Sequence, residues 1–331
     1  MNDDRVPLLE VRGLTTEFVS QADGVRRVIR AADGVDFEIG RGEILALAGE
    51  SGSGKSATAL SLVGLLPTSG RVTSGRIVFE GRDLRGLDER GMRRVRGARI
   101  GVVFQEPMTA LNPAFTIGSQ IAEALEVHGV ARGAAARARA IELLDAVRIP
   151  DPARRAADFP HQLSGGMRQR ALIAAAIACR PPLLIADEPT TALDATIQAD
   201  ILDLLDAMRR ESGLSVLLIT HDLGVVARVA DRVAVMYAGR IVETAPARAV
   251  LESPAHPYTR GLLASVPGRV PGARLAAIPG AVPDLAALPE GCAFAPRCTD
   301  RFEACDRVRP EASGVSPGHT ARCHLYGGAP R

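Results

Sequence analysis

Gly49-Glu50-Ser51-Gly52-Ser53-Gly54-Lys55-Ser56 is the stretch on which the reading of this chain turns. It fits G-x-x-x-x-G-K-[ST]. A continuous apolar run, Ile44-Leu45-Ala46-Leu47-Ala48, precedes it, and a helix is expected from near Lys55 through Leu60 and Leu62. A buried strand, a glycine-rich turn and a helix in that order make an anion cradle. The glycines let backbone N–H groups wrap phosphates, and the helix N-terminus adds its dipole. Gly49, Ser51, Gly52, Ser53 and Gly54 would line the phosphates, Lys55 would reach the β- and γ-phosphates, and the Ser56 hydroxyl would sit on Mg2+.

The lysine carries a second signal. Lys55 is the only lysine among 40 basic residues, all the others being arginine. Where any surface cation serves, this chain uses a guanidinium. An ammonium retained in the loop points to a role for a compact point charge.

Composition sets the frame. A chain of 331 residues allows about two structural units. At 47% hydrophobic and 24% charged residues it is ordinary for a globular protein, which excludes wholesale disorder. The net charge of +2 leaves no basic footprint for nucleic acid. The longest apolar candidate, Ser56 to Gly70, falls short of the roughly 18 residues a membrane span needs, and it carries Pro67. The acidic start Met1-Asn2-Asp3-Asp4 lacks the basic-then-apolar layout of a secretory signal. A soluble, cytoplasmic protein is expected.

Short β-type runs alternate with helical patterns through most of the chain, which predicts an α/β core with parallel strands. Leu183-Leu184-Ile185-Ala186 and Val216-Leu217-Leu218-Ile219 read as two further buried strands. Between Ile117 and Val147 the period becomes helical, with Ile121 and Leu125, then Ile141, Leu144 and Val147, on the apolar face. That stretch predicts an all-helical insert. The first of the buried-strand pair ends in Asp187-Glu188. In a phosphate-loop protein the carboxylate at a strand tip holds Mg2+, directly or through water. Glu188, one position on, projects differently and can act as general base on an attacking water.

Leu163-Ser164-Gly165-Gly166-Met167-Arg168-Gln169-Arg170 resembles the signature of ABC ATPases, with Met167 where glutamine is commonest. Ser-Gly-Gly opening a helix is physically a second anion site. The resemblance, over residues 8 to about 245, implies a P-loop ATPase core with a helical signature subdomain. It implies that Ser164, Gly165 and Gly166 serve the ATP of the opposite subunit. Phe18 resembles the aromatic that stacks on adenine. Gln105, in Val102-Val103-Phe104-Gln105-Glu106-Pro107, resembles the glutamine that senses Mg2+ and water. Ala192-Leu193-Asp194 resembles the D-loop, and His221 the switch histidine at the γ-phosphate.

Composition shifts again near Pro246. Residues 246–331 hold 12 of the 22 prolines and four of the five cysteines, which predicts a loop-rich extension. Ser253-Pro254-Ala255-His256-Pro257-Tyr258-Thr259-Arg260-Gly261-Leu262-Leu263 and Gly291-Cys292-Ala293-Phe294-Ala295-Pro296-Arg297-Cys298 are similar to segments of oligopeptide/dipeptide importer subunits. Cys292, Cys298, Cys305 and Cys323 are spaced C-x5-C-x6-C-x17-C. Structural disulfides are disfavoured in a cytosolic protein. Four thiolates suit a [4Fe–4S] cluster or a zinc site, and a site without metal stays open. The lack of a close C-x2-C pair disfavours zinc, and the resemblance implies the cluster. With few apolar runs, the extension is expected to draw much of its folding energy from metal, and the ATP site to be independent of it. Cys179 reads as a buried inert thiol.

The domain expectation is an ATPase domain over 1–245, its helical subdomain about 106–165, and the extension over 246–331. The resemblance implies an ATP-hydrolysing subunit of a di- or oligopeptide importer, peripheral on the cytoplasmic face of the plasma membrane. Its implied partners are a second ABC ATPase subunit, as a heterodimer, and two integral membrane permease subunits. An extracytoplasmic substrate-binding protein acts indirectly, and no nucleic acid takes part. A nickel or glutathione importer, a soluble ABC ATPase acting on ribosomes or DNA, and an inactive nucleotide-binding module are the alternatives.

Overall fold

In the computed structural model the apolar run before the loop is a strand, Ile44–Ala48, buried at every position. The structure describes residues 6–22, 25–105, 107–191, 193–266 and 277–327. Internal contacts divide the chain into two units. One comprises residues 1–40, 44–85 and 219–331, the other residues 41–43 and 86–218.

In the first unit, Ile44–Ala48 pairs in parallel with Arg232–Tyr237, Leu45 opposite Arg232 and Ala48 opposite Val235. Arg240–Pro246 continues the sheet antiparallel, and His319–Ala321 and Ser313–Ser316 extend it further. The extension therefore supplies two edge strands to the sheet that carries the phosphate loop. A second, four-stranded antiparallel sheet runs Val25–Ile39, Leu9–Ala22, Gly70–Phe79, Arg82–Asp83. Sequence periodicity does not announce it. Register shifts between Val11, Leu14 and Thr16 break the two-residue alternation along Leu9–Ala22, so its buried residues do not fall on one simple period.

The extension is loop-rich, as expected, but it carries its own apolar anchor. Tyr258, Leu262, Leu263 and Phe294 are buried with Val233, Val235 and Tyr237. The rings of Tyr237, Tyr258 and Phe294 form a triangle with centroids 4.5, 5.3 and 5.4 Å apart, in tilted and edge-to-face contacts. Beside it the buried Glu243 carboxylate accepts the N–H groups of Ala255 and His256 at 2.7 and 2.9 Å and lies 2.8 Å from His319 Nε2. Burial of dispersed side chains, rather than apolar runs, holds this region to its sheet.

The second unit contains a parallel pair, Ile100–Val103 and Leu183–Asp187, with Ser215–Thr220 beside the latter. Its helical part has the helices Ile117–Val127 and Gly133–Ala146. Ile117, Ile121 and Leu125 face inward, as the period predicts. On the next helix the buried stripe runs through Ala136, Ala140, Leu143 and Leu144, and Ile141 stands on its flank. The small alanines let the helices approach, so the contact face is set one position away from the larger residue. Among the described residues no helix is long and apolar enough to cross a membrane.

Candidate functional site

The phosphate loop turns so tightly that two glycines are obligatory. Gly54 has φ 108°, and a Cβ there would overlap the Ala31 carbonyl oxygen and stand 2.8 Å from Met236 Cε. A Cβ at Gly49 would overlap the Met236 carbonyl oxygen and stand 2.9 Å from Ser53 Oγ. Ser51 and Gly52 are exposed at the tip. Ser53 is buried, with an Oγ that lacks a hydrogen-bond partner among the described residues. The helix begins at Lys55, as expected, and runs to Leu62, with Ser56 in its first turn. Lys55 is buried and donates to the carbonyls of Gly49 and Glu50 at 2.8 and 2.9 Å. A closely walled loop, a helix N-terminus, an orphaned hydroxyl and a lysine suit a polyphosphate.

Phe18, on Leu9–Ala22, is half-buried with its ring over Gly70, where a Cβ would come within 2.8 Å of Cε1. His221 follows Thr220 and is exposed, and Asp222 beside it caps the helix Leu223–Val229 by accepting the Gly224 N–H at 2.7 Å.

In the second unit the parallel register puts Val103 opposite Ala186. Gln105 and Glu188, each two residues beyond, therefore meet past the strand ends. Gln105 Nε2 donates to Glu188 Oε2 at 3.1 Å, and the Thr191 hydroxyl donates to the same oxygen at 2.8 Å. Glu188 has φ 47°, a left-handed conformation rare outside glycine, which turns the chain sharply as it leaves Asp187. Asp187 itself is buried, 8% exposed, at the strand tip. Thr191 was not among the sequence candidates; only its distance to Glu188 reveals it.

Ser164 caps the helix Gly165–Ala176, its hydroxyl accepting the Met167 N–H at 3.3 Å, and both Ser164 and Gly165 are exposed. Gly166 faces inward, where a Cβ would stand 2.7 Å from Ile197 Cγ2. Asp194 caps the helix Ala195–Ser212, accepting the Ile197 N–H at 2.9 Å, and is exposed. Ala192 of the predicted D-loop lies outside the described residues, as does Glu106 beside Gln105.

The four cysteines of the extension are free thiols drawn into one neighbourhood. The Cys292 N–H donates to the Cys305 carbonyl at 2.8 Å. Burial pushes the Cys292 thiol up to about 11, and the other three thiols add to the rise. Burial likewise raises Cys298 and Cys323, with Cys305 contributing to both. Among the described residues no three His, Cys, Asp or Glu side chains are placed to hold a metal ion. Cys179 is half-buried and raised by burial alone.

The extension also reaches the phosphate loop. Arg297 forks onto the Glu50 carboxylate at 2.7 and 3.0 Å, and the Tyr258 phenol oxygen accepts the Glu50 N–H at 2.8 Å. Neither residue was a sequence candidate for the site.

Comparison with known proteins agrees with these features. The ABC transporter family matches residues 32–191, and the family described as oligopeptide/dipeptide transporter, C-terminal region, matches residues 242–305. A Brucella melitensis protein, whose name as a peptide import ATP-binding protein is itself provisional, is 54% identical over 96% of this chain and 97% of its own length. The dipeptide transport ATP-binding protein of Bacillus subtilis is 50% identical over 96% of this chain and 94% of that protein. A solved dimeric ATP-binding cassette in a post-hydrolysis state, bound to ADP and Pi, is 30% identical, covering 72% of this chain and 99% of the cassette with a TM-score of 0.65. The chain thus belongs to the ABC ATPases, among the ATP-binding proteins that carry the oligopeptide/dipeptide transporter C-terminal region.

Proposed function

We propose that this chain binds and hydrolyses ATP to power import of di- or oligopeptides through a membrane permease. The observation that carries the reading is the glycine-walled loop of Gly49–Ser56 with Lys55 at its helix start, in a chain whose extension is of the peptide-importer type. Lys55 and the N–H groups of the loop hold the β- and γ-phosphates, and Phe18 stacks on adenine. When bound, Mg2+ would supply the positive charge that offsets the negative charge of the transferred group. Ser56, Gln105 and Asp187 offer the hard oxygen donors that suit it. Glu188 takes the proton of the attacking water, steadied by Gln105 and Thr191. His221 contacts the γ-phosphate.

The helix N-terminus at Ser164, Gly165 and Gly166, exposed at its first two residues, serves the nucleotide of an opposite subunit, as does Asp194. A single cassette needs that second subunit, which in our reading is a sibling ATPase. Both sit on the cytoplasmic face of the membrane against two permease subunits, and an extracytoplasmic receptor delivers the peptide.

At Cys292, Cys298, Cys305 and Cys323 we propose a [4Fe–4S] cluster, with zinc as the alternative. Cys292 lies within electrostatic reach of Cys298, Cys305 and Cys323, and four free thiols in one neighbourhood supply a ligand set suited to thiolate ligation. The side chains would have to draw together from where they now stand to complete a coordination shell.

Glu188→Gln tests the catalytic assignment in the assembled transporter. The amide is nearly isosteric but cannot accept the proton, so ATP stays bound while phosphate release falls about 100-fold or more. Near-normal release by the variant would place the base elsewhere.

A further inference from the structure

Glu50 is the one carboxylate in the phosphate loop, and it is held at three points. Its carbonyl accepts Lys55 Nζ at 2.9 Å and the Ser53 N–H at 3.2 Å. Its N–H donates to the Tyr258 phenol oxygen at 2.8 Å. Its carboxylate takes both arms of Arg297. Two of the three holds come from the extension, some two hundred residues on.

Arg297 is built for this contact. It is 6% exposed, and Nε donates to the Pro279 carbonyl at 2.9 Å, which sets the plane of the fork. Its carbon centre lies 5.9 Å from the Tyr237 ring and 6.0 Å from the Phe294 ring, within cation–π range. A buried, planar, five-donor cation in a fixed orientation matches a carboxylate in two parallel bonds, which a lysine cannot do.

We propose that Arg297 is a positioning residue for ATP binding, acting through Glu50. It fixes the start of the phosphate loop and neutralises the only negative charge on it. Without the guanidinium, the Glu50 carboxylate is left unpaired on a loop that receives a polyanion. The loop then loses both its shape at Glu50 and its freedom from like-charge repulsion. The extension is thereby part of the nucleotide site rather than a separate appendage, contrary to the independence expected from sequence.

The proposal rests on the ATP-binding reading, and its test separates the two. ATP affinity of the full chain is measured by titration calorimetry for wild type, Arg297→Met, Arg297→Lys, Glu50→Gln and the Glu50→Gln/Arg297→Met double variant. Arg297→Met weakens ATP binding about ten-fold, and Arg297→Lys, which keeps charge but not the fork, recovers part of it. In the Glu50→Gln background the Arg297→Met loss shrinks to about two-fold or less, because no carboxylate remains to be neutralised. A loss undiminished in that background, or wild-type affinity in both Arg297 variants, overturns the proposal. Should Arg297→Met fail to fold, wild-type affinity in Arg297→Lys is the refuting result. A wild-type chain that binds no ATP at all refutes the ATP reading instead.

Discussion

Lowering the pH should loosen this protein through one histidine. His256 is 1% exposed and caps the helix Pro257–Ala264, its Nδ1 accepting the Tyr258 N–H at 3.0 Å. Only the unprotonated nitrogen can accept. Burial, with the Arg260 charge adding to it, pushes the imidazole down to about 3 from its ordinary 6.5. Below pH 6.5 the unfolded chain therefore takes up a proton that the folded chain refuses. Stability contributed by the neutral ring is complete above 6.5 and is lost progressively as pH falls towards 3. The slope is about 1.4 kcal/mol per pH unit, so pH 5 should cost about 2 kcal/mol relative to pH 7. His256→Asn provides the comparison, because asparagine caps a helix equally well and does not titrate. Urea denaturation of both proteins at pH 7 and pH 5 should show the wild type losing about 2 kcal/mol more than the variant across that interval. Every other titrating group is common to both and cancels. Equal losses in the two proteins would refute the argument.

Lys55→Ala removes the loop's only side-chain cation, and ATP affinity measured by calorimetry should fall below detection; unchanged affinity would overturn the phosphate-loop assignment. Phe294→Ala deletes one corner of the aromatic triangle and should cost about 3–5 kcal/mol in denaturant unfolding, and a loss under 1 kcal/mol would mean the extension is not held by it. Anaerobically purified protein should carry about four irons and four acid-labile sulfides per chain, lost on Cys298→Ser; stoichiometric zinc without iron would favour the zinc site.

The site was legible wherever its chemistry lies in consecutive residues. The run Ile44–Ala48 and the helix Lys55–Leu62 fell where apolar continuity and loop chemistry put them. Asp187 and Glu188 stand at a strand tip, as read. Pairings between distant residues were not legible. Nothing local in Pro296-Arg297-Cys298 says that its guanidinium will meet Glu50, and nothing in Thr190-Thr191 says that one hydroxyl will reach Glu188. The antiparallel sheet escaped notice for a different reason. Its bulges shift the inward face partway along each strand, so a period that holds locally cancels over the whole segment.

The two edge strands supplied by the extension have a bearing on synthesis. His319–Ala321 covers the outer edge of Arg240–Pro246, and His319 sits against the buried Glu243 carboxylate. A nascent chain that has not yet released residue 321 from the ribosome presents a bare strand edge and a buried acid short of one partner. Both invite pairing with another chain. The strands Ser313–Ser316 and His319–Ala321 thus act as a seal, whose late arrival separates a closed sheet from a sticky precursor.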